Sequence, residues 1–445
     1  MSEKTLEDYG VKSMHQAKMT GVGVAVHAVP DAYILMQTGV GCKYKVGVQI
    51  SWQDHVRHPN RHEAWTQISE MSLIRGASER IGPFARSRWE SKTPGIMVLV
   101  SAYFVELTGE DLPSSAEKVA ETMPCPFFLV ATATSKFGGL FEGYAETIRG
   151  MLAQQDFKQA HTNSGEACII GSFFTRYEQD CLADVTQLQR LSKVSGVKAG
   201  PIFLSGRPWA ELSEAWRSEF VIQLPYMRPA GRKLARLLKY RTVIETDLPM
   251  GIAGTSSWIR TVTTATGGNL DVAEAWIQRE TDKTQAAFSL VRENCSMHPV
   301  AIFADTPLAV GLVTLMLEMG LKPRLVGLRD WSLGGREAFE EAMERVGVPI
   351  PDDLEIVERP SLYWISTECM DRIKNDDFHV VIGSTMELNV IQECFKEAAP
   401  NFRTTLIETG FPSAQSHVVT PRPSMGFSGA IAWAQRILDA MTTFG

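Results

Sequence analysis

The sequence has no pair of closely spaced cysteines, although cysteine itself is present seven times. The positions are Cys42, Cys125, Cys168, Cys181, Cys295, Cys369 and Cys394. Because no CxxC motif brings two of them together, the sequence predicts neither a disulfide framework nor a zinc site. A metal cluster held by one of these thiols would need further ligands from elsewhere.

Phosphate-binding motifs and basic tracts are also missing. The glycine runs GVGVAV, GVGCKYK, KFGG and SLGG lack the full GxGxxG spacing, and no GxxxxGK[ST] sequence occurs. The formal net charge is −7, and no run of Lys or Arg is long enough to follow a phosphate backbone. We therefore expect this chain to bind no nucleotide itself and to have no nucleic-acid partner.

No apolar run reaches the length that crosses a membrane, and the N-terminal stretch MSEKTLEDYG is polar and acidic, without a signal-peptide core. These absences predict a cytoplasmic protein without a membrane partner. With 445 residues, 44% of them hydrophobic and 21% charged, the chain is globular in composition and too long for one compact core. Two or three domains are expected.

Strand-like and helix-like segments alternate along almost the whole chain. In PVAIFADTPLAVGLVTLMLEMGLKPRLVGL, a short apolar strand precedes a helix that Asp305 or Thr306 can cap, and Gly320 follows its last turn. The strand PRLVGL then completes a βαβ unit with parallel strands. The same order recurs around GIMVLVSAYF, EACIIGSFF and FHVVIGS. The pattern predicts an α/β fold of three Rossmann-like, doubly wound domains with mostly parallel sheets.

The polar stretch QQDFKQAHTNSGE predicts the first domain boundary. We place an α/β domain I at residues 1–160, a domain II at 161–290 and a domain III at 291–410. Residues 411–445 are expected to pack back on domain I.

Candidate functional residues follow three of the predicted strands, where ligands of open α/β sheets gather. They are Cys42, Ser101 and the turn Gly383–Thr385. Cys42 is the most specific of them, because it lies where the strand AYILM runs into the glycine-hinged stretch QTGVGCKYK. A lone cysteine is usually a small buried hydrophobic residue, so a structural thiol is the alternative interpretation.

Several longer stretches carry a family resemblance. They are the GVGC loop, VSAYFVELTGEDL, LPMGIAGTSSWI, ADTPLAVGLVTLMLEMG and ETGFPSAQSHVVTPRPSMGFSGAIAWAQRIL. In their order along the chain and in their residues, these stretches resemble component 1 of nitrogenase and the nitrogenase-like reductases, specifically the β-type subunit. The resemblance covers most of the chain and implies the component 1 fold.

The resemblance also implies partners and an activity. A β-type chain pairs with an α-type chain in a heterotetramer of two copies each, with an iron–sulfur cluster at the subunit interface, and a separate ATP-dependent iron–sulfur reductase delivers electrons. Any substrate-reducing metallocluster would lie in the partner subunit. Within this family the sequence favours methylthio-alkane reductase, which reduces a C–S bond and releases methanethiol. The alternatives are the β-type subunit of chlorophyllide reductase and a non-catalytic scaffold for assembling the nitrogenase cofactor.

By this resemblance, Cys42 alone occupies a cluster-ligating cysteine position. The family's first ligand position falls near Met14, His15 or Gln16 and its third on Ser101, so His15 and Ser101 are less usual ligand candidates. The cluster is then either a [4Fe–4S] cluster, with one thiolate from this chain, or a larger P-cluster-like one. Gly39 and Gly41 would let backbone N–H groups approach the cluster sulfides. The sequence identifies no catalytic residue.

Overall fold

The computed structural model describes residues 17–57, 62–132, 139–375, 377–398 and 404–442. His15 lies outside these residues, as do Met14 and Gln16. The chain forms two compact units, one of residues 17–181 with Ala199–Val243 and one of Leu182–Lys198 with residues 244–442. Among the described helices, none has the length and apolar character needed to cross a membrane.

Strands and helices alternate as the sequence predicts. The strands are β1 Ala32–Gln37, β2 Glu63–Trp65, β3 Ile96–Ser101, β4 Phe127–Val130, β5 Asn163–Ile170, β6 Lys198–Ile202, β7 Ser218–Gln223, β8 Thr242–Glu245, β9 Pro299–Ala304, β10 Lys322–Leu328, β11 Glu355–Glu358, β12 Val380–Gly383 and β13 Thr405–Glu408. The helices are α1 Lys18–His27, α2 Val40–Gln53, α3 Glu70–Arg75, α4 Ile81–Lys92, α5 Tyr103–Glu106, α6 Leu112–Ala120, α7 Leu140–Leu152, α8 Gln179–Val194, α9 Trp209–Leu212, α10 Gly231–Leu237, α11 Gly251–Ala265, α12 Leu270–Cys295, α13 Thr306–Glu318, α14 Gly335–Val346, α15 Leu362–Trp364, α16 Met370–Lys374, α17 Thr385–Ala398 and α18 Gly426–Thr442.

The strands form three sheets. The first sheet has the order β2-β1-β3-β4, the second β6-β5-β7-β8 and the third β11-β10-β9-β12-β13. All strand pairs of the first and third sheets are parallel, as is the β5–β7 pair. In each sheet the chain first moves outward on one side and then returns to the other side of the starting strand. This reversal defines a doubly wound sheet and confirms the predicted α/β fold class.

The βαβ unit of the third sheet shows why the sequence folds this way. Asp305 is the N-cap of α13 and accepts a hydrogen bond from the backbone N–H of Leu308 at 3.2 Å, with Pro307 in the first turn. Gly320 follows the helix with φ of 83°, a left-handed conformation that favours glycine. β9, which precedes the helix, and β10, which follows it, pair in parallel. The predicted unit is confirmed.

The C-terminal helix α18 packs on α11 and α12 and contacts β13, all within the unit that contains residues 244–442. Its Trp433 is fully buried, as is Ile437 one turn later. The domain boundaries given by the sequence stay predictions.

Candidate functional site

Cys42 lies in the first turn of α2 and not in a loop. β1 ends at Gln37 and the helix already begins at Val40, so two residues make the connection. The expectation of a glycine-hinged loop around Cys42 is therefore wrong. The helix forms because Val46 and Ile50, four residues apart, are buried on one side of it.

The N-terminus of α2 is open to a ligand. Gly39 is its N-cap residue, no side chain caps the first turn, and that turn contains no acidic residue. A Cβ atom added at Gly41 would meet nothing within 4 Å, and the thiol of Cys42 is exposed. Because the first N–H groups of a helix have no partner within the helix, they favour a negatively charged group placed against them.

Ser101 lies near the same edge but is not presented at the surface. It is the last residue of β3 and pairs with Gln37 of β1. The side chain is fully buried, and its hydroxyl donates to the carboxylate of Glu106. That carboxylate also accepts the backbone N–H of Thr132 at 2.5 Å. Ser101 is thus a buried, hydrogen-bonded hydroxyl, whereas Tyr103, two residues later, is exposed.

The acidic residues of the stretch VELTGEDL, which follows β3, accept hydrogen bonds from backbone N–H groups. Glu110 accepts hydrogen bonds from the backbone N–H groups of Ala77 at 2.5 Å and Ser78 at 2.7 Å. Burial opposes ionisation of Glu110, but these bonds hold its pKa below the usual value. Asp111 caps α6 by accepting the N–H of Ser114 at 3.1 Å. Sequence reasoning missed both roles, although an Asp directly before Leu-Pro is an N-cap signal.

Lys43 points away from the open helix end. Its ammonium group lies 3.1 Å from a carboxylate oxygen of Glu63 and 5.0 Å from the ring centre of Trp65, both on β2. Burial raises the pKa of Glu63, and the bond from Lys43 opposes that rise. Tyr44, the next residue, is 69% exposed. Of the two residues that follow Cys42, Tyr44 is therefore the one available for contact with another molecule.

Exposed apolar side chains follow each of the three strands at this edge. We call the set the apolar edge surface; its members are Val40, Tyr44, Met71, Ile74, Tyr103, Phe104 and Leu107. The connecting segments are tied together, since the N–H of Ile68 donates to Thr38 and the N–H of Ala102 donates to Gln37, each at 3.0 Å. An exposed apolar surface of this kind, at the same sheet edge as an exposed thiol, is typical of a surface that a partner covers.

The far end of α2 is fixed by the buried carboxylate of Asp54. It accepts hydrogen bonds from Nε2 of His27 at 2.8 Å and from the backbone N–H groups of Tyr177 at 2.9 Å and Val56 at 2.8 Å. Burial lowers the pKa of His27, and the hydrogen bond and charge of Asp54 oppose that change. Because Asp54 is the C-cap residue of the helix that carries Cys42, this network holds the C-terminal end of that helix in place.

The predicted turn Gly383–Thr385 occupies the corresponding edge of the third sheet, but it is filled by its own polar groups. The hydroxyl of Ser384 donates to Glu387 at 2.6 Å, and that of Thr385 donates to Glu408. All four side chains are buried. This turn is a closed hydrogen-bonded structure and not an open ligand site.

The remaining thiols for which the structure describes a side chain are far less accessible. Cys125, Cys168, Cys295 and Cys369 are buried, and Cys181 is half-buried. Burial raises the pKa of Cys125 to about 11 and also raises that of Cys168. Within the described ranges, no three side chains of His, Cys, Asp or Glu come together as a metal-binding group. Cys42 is therefore the exposed thiol among the described cysteine side chains, and as a ligand it would need groups that lie outside these described side chains.

Comparison with known proteins gives a family match along nearly the whole chain. The family model of nitrogenase component 1 type oxidoreductases matches residues 17–442. The nitrogenase iron-iron protein beta chain of Rhodobacter capsulatus is 20% identical, over 95% of this chain and 91% of the relative. A nitrogenase molybdenum-iron protein beta chain of Methanococcus maripaludis is 21% identical, with the same coverage of both chains.

The fold itself is also known from solved structures. A chain of nitrogenase Cp1, solved at pH 6.5, superposes with a TM-score of 0.78 over 96% of this chain and 92% of its own length, at 16% identity. Another, from nitrogenase Cp1 at pH 5, gives a TM-score of 0.71 at 12% identity. At these identities the likeness establishes the fold.

Proposed function

The chain belongs to the nitrogenase component 1 type oxidoreductases as a β-type subunit, and we propose that it pairs with an α-type chain in a nitrogenase-like reductase. In this proposal two chains of each type form a heterotetramer. Electrons come from a separate ATP-dependent iron–sulfur reductase. They enter through an iron–sulfur cluster at the interface of the two subunit types.

One observation carries the proposal: the exposed thiol of Cys42 at the uncapped start of α2, with the apolar edge surface around it. In the single chain, Tyr44, Tyr103 and the thiol of Cys42 are all exposed to solvent. At a subunit interface the same groups would be buried, with the aromatic side chains excluding water and the thiolate acting as a ligand. The geometry therefore supports an interfacial site better than a structural thiol.

The residues present could supply one thiolate ligand and several N–H donors to an iron–sulfur cluster. A bound cluster of this kind would take up and pass on single electrons. Sγ of Cys42 would bind one iron, and the N–H groups of the first turn of α2 would face the cluster sulfides. The open space beside Gly41 would admit the cluster close to the backbone. Ser101 fits less well, because its hydroxyl is committed to Glu106.

For the reaction itself we propose C–S bond reduction of a methylthio-alkane. What supports this choice is the combination of nitrogenase β-chain similarity along the whole chain with a single exposed cysteine at the cluster position. The second candidate is a chlorophyllide reductase β-type subunit, which the single cysteine also favours. In either case the substrate would be reduced in the partner subunit, and this chain would position the cluster that feeds it.

The test is Cys42→Ala in the complex co-purified anaerobically with its α-type partner. We expect normal folding, because an exposed sulfur contributes little packing, together with loss of the iron of the shared cluster, of its electron paramagnetic resonance signal and of ATP-dependent substrate reduction. The matched control is Cys181→Ala. Cys181 is the third residue of α8, as Cys42 is of α2, but it is half-buried near Thr175. Its iron content should equal that of the wild type.

Two other results would point elsewhere. If Cys42→Ala keeps its iron and its signal, the thiol is structural and the interfacial site is wrong. A wild-type complex that holds the cluster, but reduces no methylthio-alkane or chlorophyllide with ATP and the reductase, would favour the scaffold alternative over both reactions.

A further inference from the structure

A pair of histidines faces each other at the amino edge of the third sheet, opposite the edge where ligands of such sheets usually bind. His298 directly precedes β9, and His379 directly precedes the neighbouring strand β12. The backbones of both residues are fixed. The N–H of His379 donates to Pro299 at 2.9 Å, and the carbonyl groups of His298 and His379 accept from Lys322 and Thr405, each also at 2.9 Å.

The two imidazole rings meet at their Nδ1 atoms. These nitrogens contact each other directly, with the ring centres 4.7 Å apart and the ring planes inclined by 57°. Both side chains are half-buried. A proton carried by one Nδ1 can bridge to the lone pair of the other as a hydrogen bond, and a metal ion could take the place of that proton and bind both lone pairs.

We propose that His298 and His379 form a binding site for a divalent first-row transition-metal ion such as zinc. Neutral imidazole is the commonest metal ligand among side chains and suits Zn²⁺, Ni²⁺ and Cu²⁺. Here two such ligands come from adjacent strands whose backbones are already held by the sheet, so binding orders little of the chain. Water molecules would complete the coordination.

The pair needs only a small adjustment to accept the ion. A zinc ion lies about 2.0–2.1 Å from each nitrogen ligand, and tetrahedral geometry then separates the two nitrogens by about 3.3 Å. The rings reach that separation from their present contact by rotating about their side-chain bonds. The strands need not move, because each histidine is attached at the end of its strand.

A metal at this position would join the amino ends of β9 and β12. It would stabilise the third sheet, because an ion that binds the folded chain and not the unfolded one shifts the folding equilibrium. This site is separate from the proposed cluster, since it uses imidazole nitrogens of the unit that contains residues 244–442. The inference does not depend on the function of Cys42.

The test is equilibrium dialysis of the purified full chain against zinc, with metal analysis and thermal melting. We expect one zinc per chain that His298→Gln and His379→Gln each weaken at least tenfold, and a zinc-dependent rise in melting temperature that both variants lose. His161→Gln, which alters an exposed histidine elsewhere, is the matched control and should bind like the wild type.

Thermal melting without zinc identifies a variant that fails to fold. If one of the two histidine variants does not fold, the other is still compared with the wild type. If the wild type takes up no zinc, the two histidines form a hydrogen bond only and the metal site is wrong. Equal zinc uptake by wild type and both variants would also overturn the proposal.

Discussion

The carboxyl edges of the first and third sheets have the same strand topology but differ in the side chains that lie there. In both, the strand order reverses between two central neighbours, β1 and β3 in one and β9 and β12 in the other. At the third sheet, Arg329 lies over the reversal and donates to Ser384 at 2.9 Å and to the carbonyl of Phe411 at 3.2 Å, with Glu387 at 3.3 Å. At the first sheet, Cys42 is exposed at the same kind of position.

The difference shows that topology provides a ligand position without deciding whether it is used. Where the chain's own side chains supply both charges, as Arg329 and Glu387 do, the edge is closed by the chain itself. Where the edge keeps bare N–H groups, a thiol and exposed aromatic rings, the missing contacts must come from another molecule. The first edge is therefore the functional one in our account.

The largest effect on stability should come from breaking the closed edge with Arg329→Ala. Glu387 is 1% exposed, so removing its cation leaves a buried carboxylate without its charged partner, which typically costs about 3–5 kcal/mol. Thermal melting should show a strongly destabilised chain, whereas iron per folded complex should stay at the wild-type value. Loss of iron from the folded variant would mean that the two edges are not independent.

Arg324→Ala is the matched control for this substitution. Arg324 lies on β10, five residues before Arg329. It pairs with Asp353 at the surface, where both side chains are about two-fifths exposed. Exposed ion pairs contribute about 0–1 kcal/mol. Its melting temperature should therefore stay close to that of the wild type.

A smaller effect is expected from charging the open edge with Tyr44→Asp. The ring is largely exposed in the single chain, so folding should not change, but burying a carboxylate against an apolar partner should weaken assembly at least tenfold. Light scattering of the variant with its α-type partner measures this. Tyr240→Asp alters a tyrosine that is 52% exposed elsewhere in the same unit and should assemble normally. Equal assembly of both variants would remove the apolar edge surface from the interface.

Much of the fold could be read from the sequence because its signals are local. Asp305, Pro307 and Gly320 mark the start and end of α13 within a few residues, and such marks recur in each βαβ unit. The same reasoning placed Cys42 in a loop, because glycines at 39 and 41 resemble a hinge. In the structure Gly39 is an N-cap and Gly41 belongs to the helix, and neither has a positive φ.

The candidate site was harder to predict because it depends on strand order. The apolar edge surface comes from three segments that become neighbours only once β2, β1 and β3 are known to lie side by side. The short contact between Ser101 and Glu106 likewise cannot be seen in the sequence, where Ser101 looks like a substitute for a cysteine ligand. His298 and His379 are 81 residues apart and meet only through the pairing of β9 with β12.

The most direct test of the central claim is thiol labelling with iodoacetamide, under anaerobic conditions, read by mass spectrometry. Our account predicts that Cys42 is alkylated rapidly in the free chain and is protected in the complex with the α-type partner, because there its sulfur binds iron in a buried interface. Cys181 should react to the same extent in both samples. Equal labelling of Cys42 in the free chain and in an assembled, iron-loaded complex would contradict the interfacial cluster.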